Sequence, residues 1–216
     1  TSTTNVEKVI FDQNQWKIGN IGPNSSKTFS FNVFVPESLK NEPLRIPLGI
    51  TYSDALLRYG SDKPDLRNPL IISDITEIFK RDDIKFEIFK KLVKSGSLVR
   101  AIVTKNTIGK PRSFFDGIDN WAKEQGSSGL AYFTLEQNDK ISGKGPVGKF
   151  FSEESLIKIM KDLNAKIGDT IFMSCGKEHE VERILCLARA KLAEELNLID
   201  KDSLAFCWVV DYPMFE

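Results

Sequence analysis

The chain has 216 residues, of which 30 are basic and 30 acidic, so its formal net charge is zero and no global field draws it to polyanions. With 41% hydrophobic and 28% charged residues, it has a globular composition and enough length for one large domain or two small ones. It has no run of about 18 apolar residues and no apolar signal-peptide centre near its start, which predicts a cytoplasmic chain without a membrane span.

The first 52 residues are predicted to form a β-rich segment. Residues 19–26 read as a loop, and apolar side chains at every second position of residues 29–35 indicate a strand with one buried face. A second strand is expected within residues 45–52. The segment looks like part of a β-sandwich, although its 37 β-like residues cannot close one.

From residue 71 to residue 203, helical and strand patterns alternate. The predicted helices cover residues 74–80, 115–125, 153–163 and 181–196, with Ser73 and Ser152 as N-caps. The predicted strands cover residues 84–88, 98–104, 129–135, 171–173 and 204–210. Without a strict repeat, this order predicts an α+β fold in which helices pack on a mixed sheet.

Two kinds of chemistry can be set aside from the residues alone. Cys175, Cys186 and Cys207 are too widely spaced for a zinc knuckle and are interpreted as reduced, buried thiols, so no metal site is predicted. His179 is the single histidine and stands between two glutamates at a helix start. It is interpreted as a surface residue, and no catalytic residue is assigned to this chain.

Two segments that bracket the α+β region carry a family resemblance. The first, residues 52–70, includes Tyr59-Gly-Ser-Asp-Lys-Pro64, and the second is Trp208-Val-Val-Asp-Tyr-Pro-Met-Phe-Glu216. Together they resemble bacterial-type aspartyl-tRNA synthetases, in which a GAD insertion domain lies between the second and third class II motifs. Inside the bracket, three landmarks of that insertion follow in order: Gly129-Leu-Ala-Tyr132, Gly148-Lys-Phe-Phe-Ser-Glu153 and Gly168-Asp-Thr-Ile-Phe172.

The resemblance implies that residues 53–70 and 204–216 are catalytic-domain flanks and that residues 71–203 are the GAD-like insertion. The full-length family uses ATP and magnesium to form aspartyl-adenylate, transfers aspartate to tRNA and acts as a cytoplasmic homodimer. The resemblance also places a set of charged residues beside the active site: Asp62, Lys63, Asp65, Arg67, Asp211 and Glu216. From the residues alone, the first four form a solvated turn with local charge balance, and the last two are ordinary acidic residues at a sheet edge.

The chain departs from the family in its motifs. Motif 1, a Phe-Arg-Asp-Glu-type motif 2 and the glycine-rich motif 3 are absent, and residues 1–50 resemble no part of the family. Because the missing arginines would hold the ATP phosphates, the chain alone is expected not to form aspartyl-adenylate. A natural fusion, an engineered fusion or a divergent gene would each account for residues 1–50.

A glycine- and lysine-rich loop at residues 140–149 invites a phosphate-binding interpretation. It is not a P-loop, because Phe150 follows Lys149 where serine or threonine would be required. Lys144 and Lys149 could contact an RNA backbone, or the loop could be purely structural.

Three hypotheses therefore stay open. The chain is a fragment or fusion of an aspartate–tRNA ligase that carries the insertion domain, a stand-alone tRNA-binding or assembly module, or a piece of a surface β-sandwich protein. The second predicts tRNA affinity that falls with salt.

Overall fold

The computed structural model describes residues 49–203 and 205–214, and before them the backbone of strands β1 (Thr3–Val6), β2 (Phe11–Asp12), β3 (Gln15–Trp16) and β4 (Ser26–Phe29). The chain divides into two compact units, Thr1–Glu42 and Pro43–Glu216. In the first unit, β1 pairs with β4 in parallel and β2 pairs with β3 antiparallel. Apart from Phe29, the strand predicted at residues 29–35 lies outside the described residues.

The second unit contains the remaining elements. Its strands are β5 (Ile50–Thr51), β6 (Ile72–Asp74), β7 (Leu98–Thr104), β8 (Ala131–Gln137), β9 (Ile141–Lys144), β10 (Thr170–Gly176) and β11 (Val209–Val210). Its α-helices are α1 (Tyr52–Tyr59), α2 (Glu87–Lys94), α3 (Arg112–Glu124), α4 (Glu153–Asp162) and α5 (Glu178–Glu195). Short 3-10 helices lie at Thr76–Lys80 and Gly148–Phe150.

A five-stranded antiparallel sheet forms the centre of this unit, with strand order β6-β7-β10-β8-β9. A separate parallel pair joins β5 to β11. Helices pack on the central sheet, so the predicted α+β class is confirmed. None of the helices in the described part of the chain combines the length with the hydropathy that a membrane span requires.

Both faces of the central sheet are buried. Along β10, Ile171 and Met173 face one apolar cluster, which α4 helps to form, whereas Phe172 faces the other, formed with α3 and α5. The same alternation occurs in β8, where Phe133 and Tyr132 face opposite clusters. Because both faces are covered, these strands read in the sequence as nearly continuous apolar runs rather than as alternating ones.

Several predicted elements are confirmed with small shifts of their ends. Strand β7 covers the predicted residues 98–104, and α3, α5, β8 and β10 overlap their predictions. Helix α4 begins after Ser152, whose hydroxyl oxygen accepts the N–H of Ser155 at 3.1 Å, as the predicted N-cap requires. These elements have the clearest periodicity or capping signals in the sequence.

The strand predicted at residues 84–88 is wrong, because the chain enters α2 at Glu87. Phe86, Phe89 and Val93 pack into one apolar cluster, and their spacing of three and four residues is helical. A short apolar run does not distinguish a strand from the start of a buried helix.

The helix predicted at residues 74–80 with Ser73 as its cap is also wrong at its start. Ser73 lies in β6 and pairs with Ala101, and the 3-10 helix begins only at Thr76. Its N-terminal N–H, that of Thr76, donates to the Asp74 carboxylate at 2.8 Å. The N-cap position is Ile75, whose side chain makes no capping hydrogen bond, so the helix begins two positions later than predicted.

Three further boundaries differ from prediction. The glycine- and lysine-rich loop contains strand β9, because residues 141–144 pair with β8. The strand predicted at residues 204–210 is a regular strand only at Val209–Val210 among the described residues, and Leu204 is not described. Tyr52, the predicted end of a strand, is the first residue of α1.

Candidate functional sites

The two segments that bracket the insertion meet in the structure. Strands β5 and β11 pair in parallel, with Ile50 opposite Val209 and Thr51 opposite Val210. The N–H of Ile50 donates to the carbonyl of Trp208 at 2.8 Å. The polypeptide between them therefore begins after β5 and ends before β11, so its two ends are adjacent.

Helix α1 carries the first flank onto the insertion. It begins at a Thr51 cap whose hydroxyl oxygen accepts the N–H of Asp54 at 3.1 Å, and it ends at Gly60 in the left-handed region with φ of 71°. A Cβ atom at Gly60 would lie 2.7 Å from the Cβ of Cys186 on α5. Only glycine therefore allows both the turn and this close approach.

Arg189 of α5 fastens the following loop. Its side chain is buried, and it donates to the carbonyls of Leu70 at 2.6 Å, Asp65 at 2.8 Å and Asn68 at 2.8 Å. The guanidinium carbon lies 4.9 Å from the centre of the Tyr59 ring. Burial lowers the Arg189 pKa from its ordinary value, because the charged form loses hydration.

Asn68 completes this connection from the loop side. Its amide nitrogen donates to the carbonyl of Arg189 at 2.9 Å, and its side-chain oxygen accepts the N–H of Leu70 at 3.0 Å. Sequence reasoning missed both residues. A signal was present, since Arg189 follows Leu185 by four residues and so lies on the apolar stripe of α5, where an unpaired charge is costly.

The four charged residues predicted beside the active site pair with each other along the loop. Lys63 contacts the Asp62 carboxylate at 2.5 Å, and Arg67 binds Asp65 through two hydrogen bonds of 3.0 and 2.8 Å. These hydrogen bonds lower the pKa of each aspartate below its ordinary value. The charges of this loop are therefore balanced locally by these two pairs, as expected from the residues alone.

The second flank approaches this loop through Tyr212. Its hydroxyl donates to the carbonyl of Asp62 at 3.4 Å, and its ring lies 5.0 Å from that of Tyr52. Asp211, the residue before it, is exposed and has a φ of 58°. The structure thus brings the residue after Asp211 into contact with Asp62, whereas Glu216 lies outside the described residues.

Lys144 and Lys149 line one cleft, which we call the basic cleft. Its volume is about 540 Å³. Its lining residues are Ile108, Lys110, Arg112, Phe115, Tyr132, Thr134, Lys144, Gly145, Pro146 and Lys149. Lys110, which precedes α3, and Arg112, its first residue, were missed by sequence reasoning, because they reach the cleft only through the tertiary fold.

Glycines shape the wall of the basic cleft. A Cβ atom on Gly148 would overlap the backbone of Gly143, so the two ends of the loop are in direct contact. Gly145 has a φ of 132°, and a Cβ there would lie 3.1 Å from the carbonyl oxygen of Tyr132. The loop is therefore a closed turn against β8.

Two stacked aromatic rings form the floor of the basic cleft. The rings of Phe115 and Tyr132 are 5.2 Å apart and nearly parallel, and both side chains are mostly buried. The Tyr132 hydroxyl donates to Asp116 at 2.9 Å. Burial raises the pKa of Tyr132 to about 12, so the hydroxyl stays protonated at neutral pH.

The rim of the basic cleft carries excess positive charge. Lys144 pairs with Glu136 at 2.9 Å, and Arg112 pairs with Asp116 at 3.2 Å. The other two cations, Lys110 and Lys149, pair with no carboxylate among the residues that the structure describes, and instead lie over the rings of Phe114 and Phe150.

Other reactive groups do not assemble into a site within the described part of the chain. No group of three or more His, Cys, Asp or Glu residues there could hold a metal ion. The cysteines are free and half-buried, and burial raises the pKa of the Cys175 thiol to about 11. His179 is exposed near the start of α5, as predicted.

Comparison with known proteins agrees with this geometry. Residues 89–185, from within α2 to the middle of α5, match the model of the GAD domain family. The relatives that match include aspartate–tRNA(Asp/Asn) ligases. Those of Pelagibacter ubique and Methylorubrum populi are 69% and 47% identical over 77% of this chain. The resemblance recognised in the sequence is thereby confirmed.

A third relative reaches further along the chain. The aspartate–tRNA(Asp/Asn) ligase of Ehrlichia chaffeensis is 47% identical over 185 residues, or 86% of this chain. This match is longer than the 167 residues matched in Pelagibacter ubique, and it must include residues before position 50. The chain spans between 28% and 30% of the length of these relatives.

Proposed function

We propose that residues 50–214 are the GAD insertion, with its adjoining catalytic-domain segments, of a cytoplasmic aspartate–tRNA ligase. The whole enzyme would form aspartyl-adenylate from aspartate and ATP and would transfer the aspartyl group to tRNA. In that enzyme, residues 50–214 supply scaffold and RNA-facing surface. The relatives that match this chain support the reaction class.

The observation that carries the proposal is the parallel pairing of β5 with β11. An insertion can be accommodated within a catalytic domain when its two ends lie side by side at the surface. Ile50 and Val209 meet this condition across the whole GAD domain. Arg189 then fixes the first flank to α5 through three backbone carbonyls, so the insertion and the flank move together.

The exposed face of the second flank supports the same proposal. Large apolar side chains are exposed at alternate positions of this segment; the first three lie before Asp211, whose positive φ interrupts the extended backbone. They are Phe206, Trp208, Val210, Tyr212 and Met214. Several exposed large apolar side chains within one short segment are typical of a surface that another part of a protein covers. We assign that cover to the rest of the catalytic domain, which packs this segment into its sheet.

In this proposal, ATP and magnesium are bound by other residues of the enzyme. Asp62 and Asp65 already pair with Lys63 and Arg67, and no acidic cluster suited to magnesium occurs in the described ranges. The charged loop therefore positions the neighbouring active-site face and transfers no proton. A homodimer, as in the family, would form through other regions.

A transplant tests the proposal. The segment of the Pelagibacter ubique ligase that matches this chain is replaced by residues 50–214, and aspartate-dependent ATP–pyrophosphate exchange is measured. We expect the chimera to be active and the isolated chain to be inactive. The matched control is the same transplant made with the segment from Methylorubrum populi, which is 47% identical to this chain. A folded but inactive chimera beside an active control contradicts the proposal.

A further inference from the structure

We propose that the basic cleft binds the phosphate backbone of the RNA substrate, at the edge of the GAD sheet remote from the catalytic flanks. This inference rests on the proposed function, because it names the site at which the ligase would hold a second part of its tRNA. Lys110, Arg112, Lys144 and Lys149 are the ligands that it assigns.

Charge is the first argument. The four cations of the rim are all exposed and face one concavity, while the chain as a whole has zero net charge. Only Lys144 and Arg112 have carboxylate partners within the described residues. The remaining charge on Lys110 and Lys149 is uncompensated. A polyanion gains from such a local excess without any attraction from the rest of the molecule.

Shape is the second argument. Gly143 and Gly148 close the loop tightly, and the Phe115 and Tyr132 rings give the cleft a packed floor. The lysines on both sides are therefore presented by a rigid frame rather than by a flexible tail. A preformed frame lowers the entropic cost of holding an anion. The open cleft also suits an extended backbone better than a small ligand that must be enclosed.

Position is the third argument. The cleft lies beside β8 and β9, whereas α1 of the catalytic flank packs against β6 at the other edge of the sheet. Four strand spacings separate β6 from β9, a distance of about 19 Å. RNA bound in the cleft would therefore be held away from the reacting centre. Loss of this contact should weaken RNA binding and leave adenylate formation intact.

The first arm of the test measures binding by the full chain. The probe is an unmodified tRNA transcript with an aspartate anticodon, titrated at several salt concentrations. In Lys110→Gln/Lys149→Gln, affinity should fall roughly tenfold at low salt, and the slope of log affinity against log salt should decrease by about 2. Lys110→Arg/Lys149→Arg should retain the wild-type slope.

The matched control removes the same charge elsewhere. Lys161 and Lys177 lie outside the cleft. Lys161→Gln/Lys177→Gln should bind the transcript within twofold of wild type. If the two double substitutions weaken binding of the transcript equally, the inference is overturned. It is also overturned if polyglutamate binds in the cleft as tightly as the transcript does, because that result points to an acidic protein partner.

The second arm uses the transplanted enzyme. In an active chimera, Lys110→Gln/Lys149→Gln should raise the KM for tRNA about tenfold and leave ATP–pyrophosphate exchange unchanged. An unchanged KM for tRNA in the substituted chimera rejects the inference that the basic cleft binds RNA, but it leaves the proposed function intact. Absence of exchange in the unsubstituted chimera rejects the proposed function instead, so the two failures are distinguishable.

Discussion

Replacement of Arg189 by methionine should release the charged loop from the GAD domain. The change keeps the apolar length of the side chain but removes three hydrogen bonds to the carbonyls of Leu70, Asp65 and Asn68. Hydrogen bonds from a charged donor contribute about 1.5–3 kcal/mol each. Relief of the buried charge offsets part of the loss, and the half-buried Asp65 carbonyl can find water. We therefore expect a net destabilisation of about 3–5 kcal/mol.

Two measurements on the Arg189→Met variant test this expectation. Urea denaturation gives the change in the free energy of unfolding, and hydrogen exchange reports whether the N–H of Leu70 loses protection before the central sheet does. Arg183→Met is the matched control, because Arg183 lies on the same helix but its guanidinium makes a single exposed bond, to the Gln125 carbonyl. Similar effects of both substitutions, with Leu70 still protected, would refute the role given to Arg189.

Three further predictions concern other parts of the fold. Gly60→Ala should cost about 2–4 kcal/mol in urea denaturation, since it adds a clash with α5 to left-handed strain, whereas Gly96→Ala, with a φ of 93° and open space, should cost only about 1–2 kcal/mol. The pKa of Asp83 is lowered to about 2, chiefly by its hydrogen bond from Arg81, so its stabilising contribution is present above about pH 4 and is lost as pH falls through 2. Asp83→Asn should therefore flatten the acid unfolding profile in that window, and a profile that keeps its full slope contradicts this assignment. Because burial raises the Cys175 pKa to about 11, iodoacetamide should label it far more slowly at pH 8 than a free thiol, and rapid labelling of the folded chain there would contradict the burial.

Local signals in the sequence predict much of the fold. Strand β7 is inferred from an apolar run, and the cap of α4 is inferred from Ser152, which directly precedes that helix. Neither inference needs a contact between distant parts of the chain. The strand predicted at residues 84–88 is wrong because it depends on distant contacts. Their apolar run fits either a strand or a helix, and the choice depends on where Phe86 and Phe89 find the core.

The candidate sites could be predicted only in part. Lys144 and Lys149 were identified because glycines surround them, but Lys110 joins them through the packing of α3 beside β8. Similarly, family resemblance directed attention to the charged loop, whereas its anchor, Arg189, lies more than 100 residues away in the chain. Contacts between distant elements leave no local pattern in the sequence, and such contacts assemble both the basic cleft and the anchor of the charged loop.

The most direct test of the proposed function is aspartylation of a tRNA transcript by the Pelagibacter ubique ligase that carries residues 50–214 of this chain. We expect aspartate-dependent charging at a rate comparable to that of the parent enzyme. A chimera that folds and dimerises like its parent but charges no tRNA, beside an active Methylorubrum populi transplant, would contradict the assignment of this chain to an aspartate–tRNA ligase.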